Sequence, residues 1–214
     1  MRFSIIVPHY DASIKDDIFR RGIKSLLDQT NQDFEVLIYH DGPLNNPPMP
    51  DIWKEFGNRC KLEITSKRKN DWGHSNRDKG IREAKGEYIV HFNPDNVLYS
   101  FALEEIEKEI NKEYNKIYTK NDIIIFPVLM MGMQSNGKFI WRDVENADKN
   151  YMIMTGHPPI KYNIDAMQLV MKKELWFKYG GWYDKSKESD GNMYTKFCFE
   201  NDVRYCSKIL GEHW

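Results

Sequence analysis

Tyr10, Asp41 and Asp95 are the residues whose type and setting best suit chemistry. Each follows an apolar run that ends in polar residues: Pro8-His9-Tyr10-Asp11, His40-Asp41-Gly42 and Asn93-Pro94-Asp95-Asn96. A tyrosine ring can stack on a nucleobase, and a carboxylate such as Asp41 can accept a hydrogen bond from a base imide or a ribose hydroxyl. Asp95 is a hard oxygen ligand able to hold Mg²⁺ or Mn²⁺ between two phosphates. Any one of these aspartates can equally cap a helix or shape a turn. Three such loops on one edge of one sheet favour a ligand site, because open parallel sheets bind ligands beyond the carboxyl ends of their strands.

The elements that must position these loops alternate along the first half. Strands are predicted over 3–7, 34–39, 61–65, 87–92 and 123–126, with helices over 14–29 and 101–114, a short one around Trp53, and a loop over 73–81 that opens a helix running to Lys85. Such alternation implies an α/β fold with a mainly parallel sheet covered on both faces. The second half is less regular. Ser135-Asn136-Gly137-Lys138 reads as a hairpin turn joining Met130-Met131 to Phe139-Ile140-Trp141, Leu169-Val170-Met171 as a strand, and 174–178 and 192–200 as short helices.

At 214 residues the chain suits one domain, 1–214, with a donor half over about 1–98 and an acceptor half over about 99–214. Lys+Arg (31) and Asp+Glu (32) nearly cancel without a basic stripe, which tells against a nucleic-acid partner. The apolar run from Phe3 to Pro8 is too short for a signal peptide or a transmembrane segment. Cys60, Cys198 and Cys206 are odd in number and lack metal-type spacing, so a reduced, cytoplasmic setting is expected. The abrupt stop at His213-Trp214 suits a domain excised from a longer protein. Neither Gly-x-Gly-x-x-Gly after the first strand nor a Walker-type loop occurs, so phosphates would need a metal and side chains.

Four ordered blocks carry a resemblance. Ser4 to Asp11, Ser25-Leu26-Leu27-Asp28-Gln29-Thr30, Asp33 to Ile38 with Asp41-Gly42, and Ser75 to Ile81 followed by Ala84 to Ile89 resemble the opening of family 2 glycosyltransferases. The resemblance is close over about the first hundred residues and implies a GT-A (Rossmann-like) fold with a small antiparallel acceptor-side part. It also implies an inverting transfer from a UDP-sugar to an acceptor hydroxyl on a glycan or glycoprotein, with Mn²⁺ or Mg²⁺. The Asn/Lys/Ile-rich composition is further similar to small glycosyltransferase domains of large algal viruses, which would place the chain in a host cytoplasm.

By that resemblance, Pro8, Tyr10 and Asp11 match a nucleotide-contacting loop, Asp11 replacing a usual Asn. Asp41 matches the residue that reads uracil or ribose, with His40 replacing a frequent Asp. Arg68 matches a basic residue near the base or phosphates. Arg77 and Asp78 fall on an Arg-Asn pair near the donor ribose, Asp78 departing from Asn. Asn93-Pro94-Asp95 replaces Asp-x-Asp, leaving Asp95 as the one carboxylate ligand and His213 as a second metal ligand. Asp190 matches the catalytic base after Gly180-Gly181-Trp182-Tyr183-Asp184, with Ser189 where Glu is common and Glu188 as the fallback. Its bland alternative is a helix N-cap. Trp72, Trp141, Trp182 and Tyr183 offer faces to sugar rings, or simply fill the core. Two rival readings stay open: a sugar-nucleotide nucleotidyltransferase, disfavoured by the first loop, and a non-catalytic nucleotide- or carbohydrate-binding domain.

Overall fold

The computed structural model describes residues 1–10, 15–44, 49–112, 122–131 and 151–214. Its main sheet has seven strands. β1 (Phe3–His9), β2 (Phe34–His40), β3 (Cys60–Ile64) and β4 (Tyr88–His91) run parallel in the order β3-β2-β1-β4. Next to β4 the chain inserts an antiparallel strand from much later in the sequence, Leu169–Lys172. Beyond it lies Ile123–Ile125, also antiparallel to it, and Val203–Tyr205 closes the edge. In chain order these last three are β9, β6 and β10.

Both faces of the sheet are covered, so β1 and β2 are buried at every position. Alternate residues therefore enter two separate cores. Phe3, Ile5, Val7, Phe34, Val36 and Ile38 pack under α1 (Asp16–Leu27) and α3 (Ala102–Asn111). Ile6, Leu37 and Tyr39 pack on the other side under α2 (His74–Glu83), α4 (Lys173–Lys178) and α5 (Ser189–Glu200), around Trp176, Trp182 and Tyr194. A buried polar pair within this ladder is satisfied internally. Ser4 Oγ donates to Glu35 at 2.6 Å, and Glu35 also accepts from the Lys85 amide at 2.6 Å.

The segment around Trp53 is a 3-10 helix, Asp51–Arg59, rather than an α-helix. A second sheet of four strands has the order β5-β11-β7-β8, from Val97–Leu98, Gly211–His213, Val128–Met131 and Tyr151–Met154. Met130-Met131 thus pairs with Tyr151-Met152. The expected turn at 135–138, the strand Phe139 to Trp141 and Asp11 lie outside the described residues. β11 is an element that local periodicity did not announce. It runs parallel to β7 and antiparallel to β5, which follows the Asn93–Asn96 loop directly. α5 starts at Ser189, three residues before the expected start, which puts Asp190 in its first turn.

Candidate active site

The three polar strand ends converge. Pro8, His9 and Tyr10, Asp41, and Asn93 to Asp95 line one cavity of about 390 Å³, together with Arg68, Asn70, Trp72, Gly73 and Arg77. The loop bearing Asp95 is set by helix α1. A Cβ on Gly22 would stand 2.0 Å from the Pro94 carbonyl oxygen, so only glycine lets the helix lie against this turn. Arg21, the preceding residue, donates through Nη2 to the Asp95 carbonyl at 3.0 Å and stacks its guanidinium on Trp214 at 4.0 Å.

At one end of the cavity, Asp41 is nearly buried and holds the loop after β3. Its Oδ1 accepts from the Lys69 amide at 2.9 Å and its Oδ2 from the Asn70 amide at 3.4 Å. Arg68 Nε lies 3.9 Å from the same carboxylate, and the Arg68 guanidinium covers the Tyr10 ring at 3.3 Å. Behind them the buried rings of His9 and His40 meet Nδ1 to Nδ1 at 3.0 Å, which requires a proton on one nitrogen and a lone pair on the other.

At the other end stands Arg77, fully buried. Its Nη1 donates to the Trp72 carbonyl at 2.9 Å, its Nη2 to Asn93 Oδ1 at 2.7 Å, and its plane lies 5.0 Å from the Trp182 ring. Among the described residues no carboxylate lies within ion-pair distance of it, and its Nε has no hydrogen-bond partner. Asp190, Asp165 and Asp71 act on it through space only. A cation buried on those terms is costly for folding alone and is well suited to an anionic ligand.

Asp78 points elsewhere. Its Oδ1 accepts from the Trp182 amide at 3.0 Å and its Oδ2 from Arg82 Nε at 3.0 Å, bracing the Gly180-Gly181 turn on α2. It does not line the cavity. Lys69 Nζ instead donates to Asn76 at 2.9 Å on the same helix.

Asp190 accepts from its neighbour's amide, Gly191 N, at 2.8 Å. Burial, reinforced by the nearby Asp165 charge, pushes its carboxyl up to about 6. That is the environment a general base near neutral pH needs. Ser189 is buried and accepts from Trp182 Nε1 at 3.1 Å. Asp184 shapes the preceding turn by accepting from the Ser186 amide at 2.8 Å and Asn192 Nδ2 at 2.9 Å.

His213 is buried and its Nε2 lies 3.3 Å from Asp165 Oδ2. Despite burial, that carboxylate, with Asp95 and Asp190 further off, holds the imidazole pKa above its ordinary value. Asp165 is the residue that sequence reasoning missed. It opens a 3-10 turn, Ala166–Gln168, through a capping box with Gln168, and that Asp-x-x-Gln spacing was its only sequence signal. Asp95 and His213 are of the residue types that hold a divalent ion; Asp95 lines the cavity, whereas His213 is outside that lining and packs on Asp165. No group of three His, Cys, Asp or Glu side chains among the described residues offers a closed cage.

The strand order, with one antiparallel strand inside an otherwise parallel sheet, is that of the GT-A fold. The chain belongs to glycosyl transferase family 2, whose family model matches residues 4–161. Among curated relatives, a cholesterol galactosyltransferase of Borreliella burgdorferi is 30% identical over 82 residues, covering 38% of this chain and 22% of that protein. An uncharacterized glycosyltransferase of Methanocaldococcus jannaschii is 29% identical over 103 residues, 48% of this chain and 34% of the relative. The chain thus spans about a third or less of the length of these relatives. Among solved structures, S. aureus TarS 1-349 in complex with UDP-GlcNAc superposes with TM-score 0.71 at 14% identity, over 100% of this chain and 58% of that one. The mannosyltransferase PcManGT of Pyrobaculum calidifontis, in complex with GDP-Man and Mn²⁺, gives 0.67 at 15% identity over 99% and 56%. Among the described residues no helix is long and apolar enough to cross a membrane.

Proposed function

We propose that this chain is an inverting glycosyltransferase that moves a sugar from a UDP-sugar to an acceptor hydroxyl. The observation that carries the reading is one cavity that joins Tyr10 and Asp41 to Arg77, Asn93 and Asp95. Tyr10 and Asp41 suit a base and ribose, and the buried Arg77 suits a diphosphate. Solved structures of the same fold carry either kind of sugar nucleotide, UDP-GlcNAc in TarS and GDP-Man in PcManGT, so the uridine reading rests on Asp41.

In this reading Asp190 takes the proton of the acceptor hydroxyl as its oxygen attacks the anomeric carbon. The bond from that carbon to the diphosphate oxygen breaks as the new bond forms on the opposite face, and UDP leaves. Arg77 donates to the diphosphate in a site where its charge is little screened. A divalent ion, held by Asp95 and His213, would supply further positive charge to the leaving group. Asp165 orients His213 as outer carboxylates orient metal-bound imidazoles. Asn93 offers a neutral oxygen to a sugar hydroxyl or a water.

The test is UDP release from a panel of UDP-sugars with Mn²⁺, for the native chain and Asp190→Asn. Turnover by the native chain that vanishes in the variant, with donor affinity kept, supports the reading. Donor binding without turnover in either would favour a binding module, the alternative encouraged by Asn93 standing where a second carboxylate is usual. Equal loss of binding and turnover in the variant would remove Asp190 as the base.

A further inference from the structure

Of the four aromatic residues whose rings could meet a sugar, the fold leaves a specific one at the mouth of the cavity. Trp182 is buried in the core and Trp141 lies outside the described residues. Tyr183 is half-exposed and rests against Phe197. Trp72 lines the cavity and is 67% exposed. We propose that Trp72 is a stacking platform for a saccharide acceptor, so that the hydroxyl this chain glycosylates belongs to a sugar. The proposal deepens the transferase reading above and rests on it for the word acceptor.

The ring is exposed on a backbone built to keep it there. Trp72 has φ 59°, in the left-handed region that a bulky residue adopts only at a cost. Asn70 (φ 55°) and Gly73 (φ 79°) share that conformation, so the turn is tightly wound. Each side of it is pinned. Asp41 accepts from the amides of Lys69 and Asn70, and Asp71 accepts from the Ser75 amide at 2.9 Å. The Trp72 carbonyl accepts from buried Arg77. A Cβ at position 73 would come within 2.7 Å of Pro8 Cβ, so the turn lies directly on the first cavity loop. An indole left in water gains nothing for folding, and backbone strain of this kind persists where function needs it.

Its position joins the two halves of the reaction. The turn is stitched to the segment that carries Asp190: His74, next to it, meets the Ser186 carbonyl at 2.9 Å and Ser189 Oγ at 3.2 Å. Lys187 Nζ lies 5.8 Å from the centre of the Trp72 ring. Trp72 thus borders the donor cavity and belongs to a turn tied through His74 to the start of the helix that carries Asp190. Lys187 lies over one side of the indole, and the other, flat and apolar, matches the C–H face of a pyranose ring, with Asn70 in the same cavity for its hydroxyls.

The experiment uses methyl glycosides of glucose, galactose, mannose and N-acetylglucosamine as probes, with a serine-containing peptide as the competing acceptor class. Saturation-transfer NMR should show at least one glycoside receiving saturation on its ring C–H protons in the native chain and in Trp72→Phe, but not in Trp72→Ala. Where transfer is followed, Trp72→Ala should raise the acceptor KM by about tenfold, roughly 1.4 kcal/mol, while UDP affinity falls by less than about threefold. Saturation of no glycoside by the native chain, equal saturation in Trp72→Ala, transfer to the peptide alone, or an equal loss of UDP affinity would each overturn the platform. Thermal stabilisation of the native chain by UDP reads the transferase proposal separately, since glycoside saturation is measured with and without the nucleotide.

Discussion

His213 Nε2 and Asp165 Oδ2 stand 3.3 Å apart, the imidazole buried and the carboxylate mostly so, and they join the last strand to the turn before β9. Asp165 is held below the ordinary carboxylate range, chiefly by this imidazole against the opposing effect of burial, while His213 is held above its own ordinary value. Breaking a buried pair leaves an uncompensated group, at a cost of about 3 kcal/mol. His213→Ala and Asp165→Ala should each lower the unfolding free energy by roughly that amount, and the double variant by clearly less than the sum. Denaturant titrations of the four proteins at pH 7 measure the cycle; additive losses would show that the pair is not energetically coupled.

The pair also has a sign in pH. A raised histidine pKa contributes stability that is complete below the unfolded value near 6.5 and lost as pH rises through the folded value. The lowered Asp165 pKa contributes above about 3.8 and is lost as pH falls through the folded value. Unfolding midpoints of native chain and His213→Ala should therefore differ most in mildly acid solution and converge toward alkaline pH.

Asp190 has the opposite character, since burial raises its carboxyl to about 6. Its charged form is disfavoured by the fold, so ionisation costs stability as pH rises from about 4 through 6. Activity runs the other way, because a base must be unprotonated. The rate of transfer should climb with pH and level off above about 6, and Asp165→Asn should shift that limb to lower pH by removing a nearby negative charge. An unmoved limb would take Asp165 out of the account.

Arg77 invites a test of function against stability. Its charge is buried without an ion pair among the described residues, so Arg77→Met removes a cost to folding while keeping much of the side-chain volume. Stability should hold or rise by about 1 kcal/mol, while UDP affinity should fall by about 10- to 100-fold. Calorimetric titration with UDP beside a thermal melt gives both readings. Loss of stability with UDP affinity intact would make Arg77 a structural residue.

Gly22→Ala probes the support of Asp95 from outside the cavity. The new methyl would meet the Pro94 carbonyl at 2.0 Å, so the helix and loop must part. Overpacking of this kind costs about 1–3 kcal/mol, and Mn²⁺ affinity should weaken as the loop shifts. Manganese binding read by electron paramagnetic resonance separates this from a purely thermal effect.

Much of the site was legible before folding. Mostly apolar runs over 3–7, 34–39 and 87–92 predicted strands of a mainly parallel sheet, and their polar ends therefore had to meet at one sheet edge. That inference needs nothing but strand period and sheet topology. The resemblance implied an acidic motif at a helix start after Gly180-Gly181, while the helix expected over 192–200 begins at Ser189. What only the tertiary structure decided are relations across long stretches of chain. β9 enters antiparallel between β4 and β6, and nothing local in Leu169-Val170-Met171 distinguishes its two directions. Asp78 turned to the Trp182 amide and Arg82, because a carboxylate on the flank of a helix takes the donors its neighbours bring. Asp165 became part of the site only when β11 carried His213 beside it. Periodicity records which face of an element is buried; which charges then share a low-dielectric interior depends on contacts between elements that no local pattern encodes.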